Sequence, residues 1–236
     1  MDISNIAFNR HYSISGYYRY RDVLKNKISI EEYRLLKEYS DSNNVLLSNF
    51  RDYTGDINII EKYIDAISIV GKDFPKICNG RSKVGLNLHF DDSDEYAGTD
   101  GRIITLNGLV YNDSSILEQN YFNLVRDGFF VQGTTYLDII YHELGHVVSN
   151  VYHLDALLIA KEAFGLDSVP KIIIKARNEL SLYSVNTYNS IITGRAEFDG
   201  SELIAECFCG YYSKSGNEFA KKYVDMCKDI IMKEEV

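Results

Sequence analysis

The stretch Tyr141-His-Glu-Leu-Gly-His-Val-Val148 decides how this chain reads. His142, Glu143 and His146 spell HExxH. Two imidazoles four residues apart on a helix project from one face and can share one metal ion. The flanking residues carry helical period: Ile140, Leu144, Val147, Val148 and Val151 form an apolar stripe, and Thr135-Tyr-Leu-Asp138 reads as a capping box that opens the helix. For a chain of this composition, random order would give such a motif about 0.007 times, so chance does not account for it. Gly145 costs a helix interior about 1 kcal/mol against Ala. Its presence there predicts that something packs against the helix backbone.

The chemistry suits the residue types. Neutral imidazoles bind Zn2+ through a ring nitrogen, and zinc lowers the pKa of bound water to about 7. Glu143 stands one residue past the first ligand, so it can reach that water without binding the metal and serve as general base. A catalytic zinc takes three protein ligands. Three places downstream can supply the third. His153 is one residue late for HExxHxxGxxH, and position 149 is Ser where that pattern has Gly, so His153 reads as a helix-end histidine. Glu162, in Ala160-Lys-Glu-Ala-Phe164, reads as a solvated helix glutamate. Glu202 and Glu206 lie four apart in Ser201-Glu-Leu-Ile-Ala-Glu-Cys207. Two stacked like charges repel on a free helix, and a cation beside them removes the conflict. One of the pair would bind metal and the other would support a ligand from behind.

Around this centre the chain reads as α+β. Residues 1–75 form an N-terminal region expected to be mainly helical, with a capping box at Ser29-Ile-Glu-Glu32 and an apolar helix over 57–70. Residues 76–236 form a second domain. It starts with strands at 84–90 and 102–107, separated by an acidic loop at 91–100, and Leu109-Val-Tyr111 extends the second strand after a turn. Ser115-Ile-Leu-Glu118 caps a helix to about Val125. Helices are then expected at 135–151, 155–164, 169–180, 201–213 and 217–232. The result is a small sheet followed by a helix-rich half.

Bulk properties narrow the function. The chain has 236 residues and a net charge of −9, which argues against a surface that tracks nucleic-acid phosphates. No apolar run is long enough to span a membrane, and the first 20 residues show no signal peptide. A cytoplasmic protein is expected, with virion association or export by a non-classical route as alternatives. Cys78, Cys207, Cys209 and Cys227 have neither zinc-ribbon spacing nor disulfide density, and read as reduced thiols.

The motifs Tyr96-Ala-Gly-Thr-Asp-Gly-Arg-Ile-Ile-Thr-Leu-Asn107, His142-Glu-Leu-Gly-His146, Leu180-Ser-Leu-Tyr-Ser184 and Glu202-Leu-Ile-Ala-Glu206 together resemble a group of gluzincin-type zinc metallopeptidases. That group contains the catalytic domain of anthrax toxin lethal factor, the clostridial Pro-Pro endopeptidases and peptidase-like domains encoded beside phage head genes. The resemblance spans roughly residues 83–213. It implies a zincin-like fold, with His142, His146 and Glu202 as zinc ligands and Glu143 as base. It also implies that Tyr183 donates its hydroxyl to the oxyanion. The gap from Tyr183 to Glu202 is longer than such proteins have, which a local insertion around 188–200 would reconcile. Tyr188 and Arg195 are therefore alternatives to Tyr183. The implied substrate is a protein or peptide bound as an extended strand along residues 102–107. Two other readings use the same motifs: a non-catalytic assembly protein related to phage, and a metallopeptidase toxin or effector.

Overall fold

The computed structural model describes residues 27–79, 83–91, 95–181 and 200–234. Among them are eight α-helices and one four-stranded mixed sheet, an α+β arrangement that is mostly helical. The chain divides into two compact units, residues 1–120 and 121–236.

In the first unit, α1 (Ile30–Ser42) opens on the expected capping box. Ser29 Oγ accepts from the Glu32 N–H, and the Ser29 N–H donates to the Glu32 carboxylate. β1 (Leu46–Ser48) follows. Then comes α2 (Ile57–Asp73), capped by Asp56, which buries Ile60, Tyr63, Ile64, Ile67 and Val70. The sheet continues with β2 (Gly85–His89), β3 (Ala97–Asp100) and β4 (Ile103–Asn107), in the order β1-β2-β4-β3. β1 and β4 run parallel to β2, and β3 is antiparallel to β4. The pleat sends Leu86, Leu88, Ile104 and Leu106 to one face, where each is nearly or fully buried. On the other face Asn49 donates to Asn87, and Asn87 donates to Thr105, across three strands. Tyr63 and Tyr111, hydroxyl to hydroxyl at 3.0 Å, tie α2 to the turn after β4. Asn107 fastens the end of the sheet. Its amide donates to the Asp91 and Glu95 carbonyls at 2.9 and 3.2 Å, and its oxygen accepts the Leu109 N–H at 3.1 Å. The Gly108 N–H donates to the His89 carbonyl at 2.6 Å.

Four expectations need correction here. The boundary near residue 75 does not separate domains, because β1 on one side pairs with β2 on the other. The acidic segment 91–100 is not all loop, since Ala97–Asp100 pairs with β4. Residues 109–111 turn and do not extend β4. A peptide cannot add as a strand along 102–107, because β2 and β3 already occupy both sides of β4. β3 is the strand at that end of the order. The division between units falls within α3 (Ser114–Arg126), whose cap is Asp113, accepting from Ser115 and Ile116.

The second unit is helical. The Thr135 N–H and hydroxyl both donate to the Asp138 carboxylate, and a single 3-10 turn leads into α4 (Ile139–Tyr152). α4 stops at His153, which adopts the left-handed conformation (φ 53°) and lies exposed, while the Leu154 N–H turns back to the Ser149 carbonyl. Asp155 caps α5 (Ala156–Phe164), and α6 (Val169–Leu180) starts with Pro170 in its first turn. α7 (Gly200–Tyr212) packs against α4, α5 and α8 (Glu218–Glu234). Tyr223 donates to the Ala156 carbonyl, and Phe219 stacks on Phe164 at 4.5 Å. No helix among the described residues is long and apolar enough to cross a membrane. All four cysteines are free, three of them buried.

Candidate metal centre

The centre lies within the second unit, where α4 meets α7. The prediction drawn from Gly145 holds. A Cβ at this position would stand 2.5 Å from Ala205 Cα and 3.1 Å from Ala205 N, so the two helix backbones touch where a side chain would block them. The contact aligns the helices in antiparallel register. His142 faces Glu206 and His146 faces Glu202, while Cys209 Sγ donates to the Asp138 carbonyl at 3.5 Å.

Four candidate donor atoms from three residues converge at this crossing, with one Glu202 oxygen turned toward each ring. His142 Nε2 and His146 Nε2 are 3.2 Å apart. Glu202 Oε2 is 3.5 Å from the first, and Glu202 Oε1 is 3.4 Å from the second. A tetrahedral ion bound at about 2.0–2.1 Å holds its donors about 3.3 Å apart. The three residues therefore form a group that could hold a metal ion, with their donor atoms all within 4.8 Å of one another. The Glu202 side chain is 39% exposed, against 12% and 16% for the histidines, so the group opens to solvent on the α7 side.

Glu206 faces the other nitrogen of His142, with its Oε1 3.5 Å from Nδ1. Among the described residues, His142 Nδ1 and Glu206 Oε2 are both buried without a hydrogen-bond partner. A carboxylate on that side favours the tautomer protonated at Nδ1, which leaves the Nε2 lone pair toward the metal group. Burial, helped by His146, pushes the His142 pKa down to about 3, so the ring is neutral, as a ligand must be. Burial, then the charges of Glu202 and Glu143, push the Glu206 carboxyl well above the usual range. Glu143 (6% exposed) and Glu206 (7%) are thus two buried carboxyls beside a third. A cation at the converging donors relieves that arrangement, and the donor set fits Zn2+, whose usual ligands are imidazole, thiolate and carboxylate.

The structure thus brings together His142, His146 and Glu202, and puts Glu206 behind His142. His153 and Glu162 lie exposed and outside the group. Tyr183, Tyr188 and Arg195 fall outside the described residues. The sequence reading missed Phe130. Its ring meets the His142 ring edge-on at 6.4 Å and stacks on Tyr121 at 4.6 Å, so it walls the group. The adjacent aromatics of Phe129-Phe130, in a short loop just before the motif helix, were the available signal.

Comparison of the chain with known protein families, with curated proteins and with solved structures gives no match.

Proposed function

We propose that the chain is a zinc-dependent endopeptidase of the gluzincin kind, built on a zincin-like fold. The observation that carries the reading is the convergence of His142, His146 and Glu202, whose donor atoms lie within 4.8 Å of one another. The motif resemblance described above supports it. When bound, zinc supplies Lewis-acid polarisation of the scissile carbonyl and makes water acidic enough to ionise near neutral pH. Glu143 accepts the proton of the attacking water as its oxygen bonds to the carbonyl carbon. It returns that proton to the amide nitrogen as the C–N bond breaks. Glu206 keeps His142 oriented. Tyr183, with Tyr188 and Arg195 as the alternatives, donates to the oxyanion. The substrate is a polypeptide in extended form, and neither nucleic acid nor membrane is part of the reading. The protein works in the cytoplasm, with virion association or non-classical export as the alternatives.

A structural or assembly role for the metal would call for a fourth protein ligand to close the site. Among the described residues the group has three members, which favours catalysis. A toxin or effector would use the same chemistry on one chosen host protein.

The test takes wild type, Glu143→Gln and Glu202→Ala side by side, with zinc per chain from elemental analysis and cleavage of a fluorogenic peptide library. The expected result is about one zinc in the first two proteins, a marked loss in the third, and cleavage in wild type alone. The Glu143→Gln loss should be at least about 100-fold. Zinc with no cleavage of any peptide would shift the reading to the structural role. Cleavage that survives Glu143→Gln would remove Glu143 as base.

A further inference from the structure

We infer that Gly145 is a positioning residue, whose missing side chain sets the distance between the two imidazoles on α4 and the Glu202 carboxylate on α7. The inference rests on the metal-site reading above. Ordinary van der Waals contact for a Cβ begins near 3.4 Å, and a Cβ at Gly145 would lie 2.5 Å from Ala205 Cα and 3.1 Å from both Ala205 N and Phe208 Cβ. Two of these three neighbours are backbone atoms, so no rotamer change relieves the clash. The α7 backbone must retreat from α4 by a substantial part of an ångström.

Glu202 lies one helical turn before Ala205, so a retreat at the crossing carries its carboxylate along. The two ring nitrogens stand 3.2 Å apart, each has a different Glu202 oxygen at 3.4–3.5 Å, and one donor from each residue lies within 4.8 Å of the others. A wider gap leaves Glu202 able to reach the metal only by leaving its preferred rotamer, or not at all. The other facing pairs of the register, His142 with Glu206 and Asp138 with Cys209, sit on the same two backbones and move with it. Helix packing and ligand geometry are therefore one quantity at this crossing. Gly145 earns its helix penalty through the site, not through the core.

The experiment compares Gly145→Ala with wild type, both stripped of metal. Zn2+ affinity is read by competition with a chromophoric chelator, and the Co2+ complex by its visible absorption. Urea unfolding of the metal-free chains runs alongside. Gly145→Ala should bind Zn2+ about 10–100-fold more weakly, the range for lost support around a metal ligand. Its Co2+ spectrum should lose the intensity of a tetrahedral site. Adding Ala205→Gly should not restore either, because the obstacle is Ala205 backbone. A residue that only stabilised the fold would shift the urea midpoint and leave the affinity and spectrum of folded protein unchanged. That outcome would overturn the inference.

Should Gly145→Ala fail to fold, Glu202→Asp takes its place. It withdraws the carboxylate by one C–C bond, at a half-exposed position, without touching the crossing. Wild-type Zn2+ affinity in Glu202→Asp would show that spacing on this scale does not matter, and the inference would fall. A comparable weakening would uphold it. If wild type itself binds no Zn2+ or Co2+, the metal-site reading fails first. If wild type binds and Gly145→Ala binds equally well, only the role of Gly145 fails.

Discussion

α2 and α4 are both buried helices, but they bury different chemistry. The inner face of α2 holds Ile, Val, Ala and Tyr, and there the Tyr63 hydroxyl meets the Tyr111 hydroxyl. α4 and its partner α7 bury Glu143 and Glu206 beside a neutral, 12% exposed His142, and two of their polar atoms have no hydrogen-bond partner among the described residues. Burying an apolar side chain contributes about 1.5–3 kcal/mol. Leaving a buried polar group without a partner costs about 1–3 kcal/mol. The first helix buries a closed apolar face, whereas the second pair brings together a group of donors that could hold a metal ion. The two regions should therefore respond to different perturbations.

The largest separation should come from metal removal. Loading the site with Zn2+ at a thousand times its dissociation constant stabilises the folded state by about 4 kcal/mol. Hydrogen exchange before and after chelation should therefore show α4 and α7 losing protection while α2 and β4 change far less. Equal loss in both regions would break the comparison. A core truncation should sharpen it from the other side. Ile64→Ala in α2 should cost about 2–5 kcal/mol, by the same amount in metal-loaded and metal-free protein. The check is a pair of urea titrations. A cost that depends on metal would mean that the first unit also senses the site.

The smallest effect is a pH slope in the metal-free chain. His142 titrates near 3 when folded, against about 6.5 ordinarily. Between those values the unfolded chain binds a proton that the folded chain refuses, so stability falls as pH falls. Glu206 acts oppositely. Its folded pKa is raised above 4.5, so from that raised value down to about 4.5 the folded chain binds the extra proton and gains stability. Below about pH 4.5 both states hold the Glu206 proton, so of this pair only His142 still contributes a slope, at up to ~1.4 kcal/mol per pH unit. Urea titrations at about pH 4.5 and 3.5 should show a steeper loss in wild type than in His142→Asn. Equal slopes would mean that His142 is not held neutral.

Much of this was legible from side-chain pattern. Every described helix of the second unit was expected within a residue or two of where it lies, except that α4 starts after its capping-box turn, because period and caps are local signals. HELGH and the stacked Glu202 and Glu206 were legible for the same reason, and Gly145 announced a backbone contact through its own cost. Assigning the ligand role to Glu202 rather than Glu206 took the family resemblance, since the two are equivalent on one helix face. The misses were matters of pairing. β3 is Ala-Gly-Thr-Asp, in which only Thr99 favours a strand, and it pairs along β4. β1 is three residues long. A strand made by its neighbour leaves little trace in its own residues. The wall formed by Phe130 also depended on a tertiary contact that spacing along the chain does not encode.

The grip of Asn107 on the sheet end has a consequence for how the protein ages. Asn-Gly is the pair most prone to deamidation, a reaction in which the glycine nitrogen attacks the asparagine side-chain carbonyl and closes a five-membered imide. Here that nitrogen is committed to the His89 carbonyl, and the Asn107 carboxamide is held on three sides by Asp91, Glu95 and Leu109. The folded chain holds this Asn-Gly pair in a geometry that resists cyclisation, so deamidation at this point tracks the fraction of time the sheet end is open.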